Sequence, residues 1–364
     1  MGRSEFVPFA GSSRRSMGIG AGKDEVVSES LATLPDSVGF RDVRTRQPPG
    51  EDCFARGRMA SIASPGEPHF MRQSTVHSLR RLILAALFAG FTADSAAALT
   101  LKPWKDELFG YPAVVETTDN GALRVVDYQE MRDINGRDQV PERRVRSAYV
   151  STAVKKAQQN LTVDTPAGPI DVAMTGKGEG ASFTVIFIHG RGGDRRLGNN
   201  DWNFGGNFNR IKNLAVQNGG VYYAPSVPSF DDAGAARISG LILRAKALSP
   251  DRPVILACAS MGSFICARVV RDATAVRSLS GMVLMGGAAD GDYAKTPAFK
   301  AKLPVFFTHG DSDSVYAAND QIAVFHKLLK AGIPTRFVLF QTGGHGTPVR
   351  MTDWRETLNW IFAQ

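Results

Sequence analysis

The stretch Pro253-Val254-Ile255-Leu256-Ala257-Cys258-Ala259-Ser260-Met261-Gly262-Ser263-Phe264-Ile265 constrains the fold more than any other part of the chain. Val254 to Cys258 is a short, continuously apolar run, the pattern of a parallel strand covered on both faces. From Met261 onward apolar residues recur at helical spacing, at Met261, Phe264, Ile265, Val269 and Val270. The segment therefore reads as a buried strand turning into a helix, with Ser260 on the corner. A side chain there stands above the sheet, where helical N–H groups and the positive end of the dipole gather. Such a corner suits a nucleophile whose attack builds up an oxyanion. An ordinary strand–helix turn with small residues is the plain alternative, and the rest of the chain must decide.

The leading segment reads differently. Met1 to Phe70 is rich in Gly, Ser, Pro and Arg, shows no sustained periodicity, and is expected to be a disordered extension. Met71 to Arg81 is a basic n-region, Leu82 to Phe91 a short apolar run, and Ala96-Ala97-Ala98 a small-residue cleavage site. The apolar run is shorter than the roughly 20 residues that span a bilayer. Residues 71–98 thus read as a signal peptide, with translation starting at Met71 and residues 1–70 outside the natural product. A buried or membrane-anchoring helix is the competing reading. A signal peptide implies a periplasmic or secreted protein whose mature chain starts near Leu99.

Residues 99–364 read as one domain. The hydrophobic content of 43% supports a substantial core, and the formal charge of +8 is spread without a long basic run. That distribution excludes a nucleic-acid signature and leaves a weak bias towards anionic ligands. The 3 cysteines, Cys53, Cys258 and Cys266, show no zinc-type spacing, so no metal site is expected. Cys258 and Cys266 are expected as buried small apolar residues rather than as a disulfide.

Ala113–Glu116 and Leu123–Tyr128 flank Asp119-Asn120-Gly121, a hairpin signal. Arg132 to Arg146 is charged and reads as a surface connection. A second hairpin is expected across Leu161–Asp164 and Ile170–Met174. Strand and helix patterns then alternate: strands at Val185, Val221, Val254, Met282, Val305 and Arg336, and helices at Arg210, Ala233, Ala317 and after the capping residue Asp353. Such alternation implies an α/β fold with a mainly parallel sheet flanked by helices. Ligands bind beyond the carboxyl ends of such strands. The residues there are His189 to Gly193, Ser260 and Met261, His309 to Asp313, and Gly343 to Gly346.

In that order the chain resembles the α/β-hydrolase family. Cys258-Ala259-Ser260-Met261-Gly262 resembles its nucleophile elbow, G-x-S-x-G, with cysteine in place of the first glycine. His309-Gly310-Asp311-Ser312-Asp313-Ser314-Val315 looks like its acid loop, Thr342-Gly343-Gly344-His345-Gly346 its histidine loop, and His189-Gly190-Arg191-Gly192-Gly193 its oxyanion loop. The resemblance covers about residues 161–364. It implies the α/β-hydrolase fold, preceded here by an N-terminal β-hairpin, and a serine hydrolase acting on a small-molecule ester with no cofactor. Ser260 would be the nucleophile, His345 the base and Asp313 the orienting acid. The backbone N–H of Met261, with that of Arg191 or Gly192, would hold the oxyanion.

Competing residues have plainer roles. Ser263 lies one turn into the helix. Asp311 has a spacing to Val315 that fits the family less well, and Asp290 and Asp292 read as loop residues. His189 and His309 close strands, and His326 lies within a helix. Arg191, Arg195 and Arg196 form either a solvated loop face or a pocket for an anionic substrate group. Trp202, Phe204 and Phe208 line an acyl pocket or pin their loop. Residues 288–303 are too few for a large helical cap, which implies an open site covered at most by the 191–208 loop or the N-terminal hairpin. The resemblance also allows cleavage of a thioester, amide or phospholipid. A non-catalytic binding protein on the same scaffold is the alternative of another class.

Overall fold

The computed structural model describes residues 99–139 and 143–364. The extension and signal peptide expected in residues 1–98 lie outside the described residues. The strands are β1 (Val114–Thr118), β2 (Leu123–Val126), β3 (Asp138–Gln139), β4 (Arg144–Val145), β5 (Gln158–Val163) and β6 (Ile170–Gly176). They continue with β7 (Thr184–Ile188), β8 (Val221–Pro225), β9 (Val254–Ala259), β10 (Gly281–Met285), β11 (Val305–Gly310) and β12 (Thr335–Phe340). All but β3 and β4 join one sheet in the order β1-β2-β12-β11-β10-β9-β7-β8-β6-β5.

From β8 across to β2 the neighbours run parallel, and both margins are antiparallel, through β1/β2 on one side and β5/β6/β8 on the other. Every residue of β7, β9 and β10 is buried, as a strand covered on both faces requires. Alternate side chains feed two cores. Ile186, Ile188, Leu256 and Cys258 meet Ile238, Leu241, Ile265 and Phe325 from helices 232–248, 262–269 and 318–330. Val185, Phe187, Ile255 and Ala257 meet Phe208, Ile211, Trp354 and Leu358 from helices 207–217 and 354–362. The last helix is capped as its sequence suggests, with the Asp353 carboxylate accepting the N–H groups of Arg355 and Glu356. Among the described residues no helix is long and apolar enough to cross a membrane.

Three features differ from the sequence reading. Cys258 and Cys266 form a disulfide, with Cα atoms 6.3 Å apart. The elbow turns the helix back across the strand end, so residues eight apart in sequence face each other. The N-terminal hairpin forms, but as a sheet margin: β2 runs parallel to β12, from Phe337↔Leu123 to Phe340↔Val126. The charged 132–146 segment is not a bare surface connection. Arg137 is buried, with its guanidinium 5.4 Å from the Phe109 ring centroid and bonded to the Arg350 carbonyl. A flat guanidinium stacks on aromatic faces, so its charge alone does not place it outside.

Candidate active site

Parallel strands β7 and β9 are neighbours, while β8 lies beyond β7 and β10 beyond β9. The chain thus leaves the sheet in opposite directions from this pair, and such a switch point opens a crevice at the carboxyl ends. Ser260 follows β9 and sits at φ 52, a left-handed backbone conformation unusual for a residue with a side chain. Strain of this kind persists only where the surroundings fix it. The Ser260 N–H donates to the Met285 carbonyl, and the helix begins at Gly262. A Cβ at Gly262 would lie 2.7 Å from the Ile188 carbonyl oxygen and 2.9 Å from that of His189. Only glycine lets the helix start this close to β7.

The loops after β11 and β12 bring the acid and the histidine to the same corner. The side chain of Asp313 is fully buried, and its Oδ1 accepts the N–H groups of Val315 and Tyr316 at 2.8 and 3.1 Å. Its Oδ2 lies 2.8 Å from Nδ1 of His345, which therefore donates, leaving the Nε2 lone pair free. That Nε2 stands 2.8 Å from Oγ of Ser260. The Tyr316 ring packs against the imidazole, with centroids 5.7 Å apart. Among the described residues the N–H groups of Met261, Arg191 and Gly192 have no protein acceptor, so they are available to an oxyanion.

A cavity of about 470 Å³ opens on this corner. Phe187, Leu197, Phe204, Met285 and Val349 give it an apolar floor, and Arg191, Val315 and Tyr316 form part of its lining. A second cavity of about 320 Å³ shares Phe204, His345 and Gly346 with it, which makes the Phe204 ring part of the partition. The 191–208 loop thus lines the site. Of its aromatics, Phe204 faces the cavity, Phe208 is buried in the core, and Trp202 carries the Arg144 guanidinium 3.6 Å from its ring centroid.

The three arginines separate. Arg195 pairs with Asp171 at 3.0 Å and Arg196 with Asp194 at 2.6 Å. Arg191 has no ion-pair partner among the described residues and lines the cavity, near enough for its charge to act on the Tyr316 phenol.

The competing residues are engaged elsewhere. Ser263 Oγ accepts the Ala288 N–H inside the core, and Asp311 accepts from the Ser312 hydroxyl at the surface. Asp290 pairs with Arg271, Asp292 with Lys295, and His326 with Asp119. His189 donates from Nδ1 to the Gly190 carbonyl and accepts the Val227 N–H at Nε2. It is a neutral structural bridge, and burial holds its pKa below the ordinary imidazole range. Nothing in the sequence separated this histidine from its counterpart after β11. Among the described residues no cluster of three or more His, Cys, Asp or Glu could hold a metal ion.

The sheet order, the strained elbow and the three loops that meet over it give this chain the α/β-hydrolase fold. Similar solved structures include an α/β serine hydrolase without a lid from Xanthomonas campestris, 18% identical over 57% of this chain and 94% of that one, with a TM-score of 0.41. An esterase from Pyrococcus furiosus is 12% identical over 57% and 91%, with a TM-score of 0.43. An S-formylglutathione hydrolase from Staphylococcus aureus is 14% identical over 57% and 96%, with a TM-score of 0.41. No protein-family model matches the sequence, and no curated protein does.

Proposed function

We propose that this chain is a serine hydrolase that cleaves a carboxylic ester through an acyl-enzyme on Ser260. The observation that carries this reading is the unbroken relay from Ser260 Oγ through His345 to Asp313, laid along an apolar cavity. Ser260 Oγ attacks the ester carbonyl carbon while its proton passes to His345 Nε2. The carbonyl oxygen becomes an oxyanion held by the Met261 N–H and that of Arg191 or Gly192, each such donor worth about 3 kcal/mol. Collapse expels the alcohol, which takes the proton from Nε2. Water then attacks the acyl carbon while Nε2 takes its proton, and the second collapse breaks the bond to Ser260 Oγ, which recovers the proton from Nε2 as the acid leaves.

The cavity floor suits an apolar acyl group, and the unpaired Arg191 guanidinium favours an ester with a carboxylate or phosphate at its outer end. The paired states of Arg195 and Arg196 leave Arg191 as the cation for that role. A buried disulfide beside the nucleophile favours an oxidising compartment, which agrees with export through a signal peptide that starts at Met71.

A panel of p-nitrophenyl esters of rising chain length, with an anilide and a phosphodiester as controls, tests the reading. Hydrolysis of esters that vanishes in Ser260→Ala supports it. A folded wild type that turns over only the anilide or the phosphodiester replaces the ester with another bond. One that turns over nothing favours a binding protein.

A further inference from the structure

His309 is the last histidine of β11 before the acid loop, and it is fully buried behind Asp313. Its ring is surrounded by acceptors. On one side Nδ1 lies 2.7 Å from Oε1 of Gln321 in helix 318–330. The orientation of that amide is fixed, because its Nε2 donates to the Gly287 carbonyl at 3.1 Å and a carbonyl can only accept. Oε1 therefore faces the ring, and Nδ1 must carry a proton. On the other side Nε2 lies 3.0 Å from the Tyr316 carbonyl and 3.3 Å from Oδ2 of Asp313. Both are acceptors, so Nε2 must carry a proton as well. A neutral ring would point a lone pair at a carbonyl oxygen inside the protein, where an unmet contact is costly.

We infer that His309 is held as a doubly protonated imidazolium that shares the Asp313 carboxylate with His345, and is thereby a positioning residue for the proposed relay. The inference rests on the reading of Asp313 as the orienting acid. The charged group bonded to the ring is Asp313. Gln321 and the Tyr316 carbonyl are its neutral acceptors, Asp311 is exposed and bonded to Ser312, and His345 meets the same carboxylate oxygen, Oδ2. A buried cation is tolerated when a carboxylate and further hydrogen bonds meet it. The two strand-end histidines are then opposites. His189 is locked neutral by an N–H donor at Nε2, and His309 is locked cationic by acceptors at both nitrogens. The consequence is functional: a positive charge behind Asp313 offsets part of the negative charge that would otherwise favour protonated His345. The relay then stays ready to accept the serine proton at lower pH.

Imidazole ¹⁵N NMR of the wild-type protein at about pH 8 tests the charge without reference to activity, since an ordinary imidazole is neutral there. The His309 signals are assigned by their absence in His309→Asn. Two protonated ring nitrogens are expected, and one bare nitrogen overturns the inference. The pH profile of kcat/KM tests the effect: in His309→Asn the acidic limb should move up by about one pH unit. A folded variant with an unmoved limb removes the positioning role. A wild type that shows the imidazolium yet cleaves no ester would leave the charge standing and defeat the hydrolase reading instead.

Discussion

Gly190 and Ser260 approach so closely that a Cβ on the glycine would lie 2.8 Å from the serine Cβ. The 189–193 loop and the Ser260 corner are therefore packed together backbone to side chain. The site has no slack in which either loop could be rebuilt separately, and the same tightness governs what substitutions around it will do.

Gly262→Ala is the sharpest structural test of the elbow. The new methyl would meet two carbonyl oxygens of the β7 end that cannot rotate away. A loss of about 1–3 kcal/mol in urea unfolding is expected, as for other overpacked sites, together with a marked fall in kcat. Gly291→Ala, where a Cβ meets nothing within 4 Å, should leave both unchanged and serves as the control.

Acid should weaken the fold through His189. Its pKa is depressed in the folded chain by burial, so the unfolded chain binds the proton more readily. The associated stability is fully present above the unfolded value of about 6.5 and is lost as pH falls towards the folded value. Protonation of Nε2 also removes the acceptor of the Val227 N–H. Across about pH 8 to 5 the urea midpoint of the wild type should drop relative to that of His189→Asn, a difference in which the opposite contribution of the His309 imidazolium cancels. Equal slopes would rule out His189 as the source.

The Cys258–Cys266 bridge closes a short loop around Ser260. For a loop of this size the chain-entropy model gives about 2–3 kcal/mol. Cys258→Ala/Cys266→Ala should lower the unfolding midpoint accordingly and make it insensitive to dithiothreitol. A variant as stable as the wild type would show that the packed thiol positions suffice.

Phe204 lines both cavities beside His345. Phe204→Ala should join them and shift the preference towards longer or bulkier acyl groups. The measure is the ratio of kcat/KM for long over short p-nitrophenyl esters, expected to rise about tenfold, the scale of one or two methylenes in an apolar pocket. An unchanged ratio would place the acyl group elsewhere.

Much of this arrangement is legible in the sequence because it depends on local pattern and order. A buried run ending in Ala259-Ser260-Met261-Gly262 signals the elbow, and loops holding Asp313 and His345 follow strands in sequence order. The structure brings all three side chains together. What escaped depends on distant neighbours. The disulfide needs the helix to fold back over β9. The burial of Arg137 needs Phe109 and Tyr149 beneath it, and the opposite states of His189 and His309 are set by Val227 and Gln321. Arg191 differs from Arg195 and Arg196 only because Asp171 and Asp194 reach the latter two.

The most direct measurement is reaction with a fluorophosphonate, followed by peptide mass spectrometry of the wild type and of Asp313→Asn. A single adduct on the peptide containing Ser260 is predicted, formed about a thousandfold or more faster in the wild type than in the variant, where His345 loses its oriented proton. An adduct on another residue, or a folded wild type that never reacts, would contradict the proposed relay.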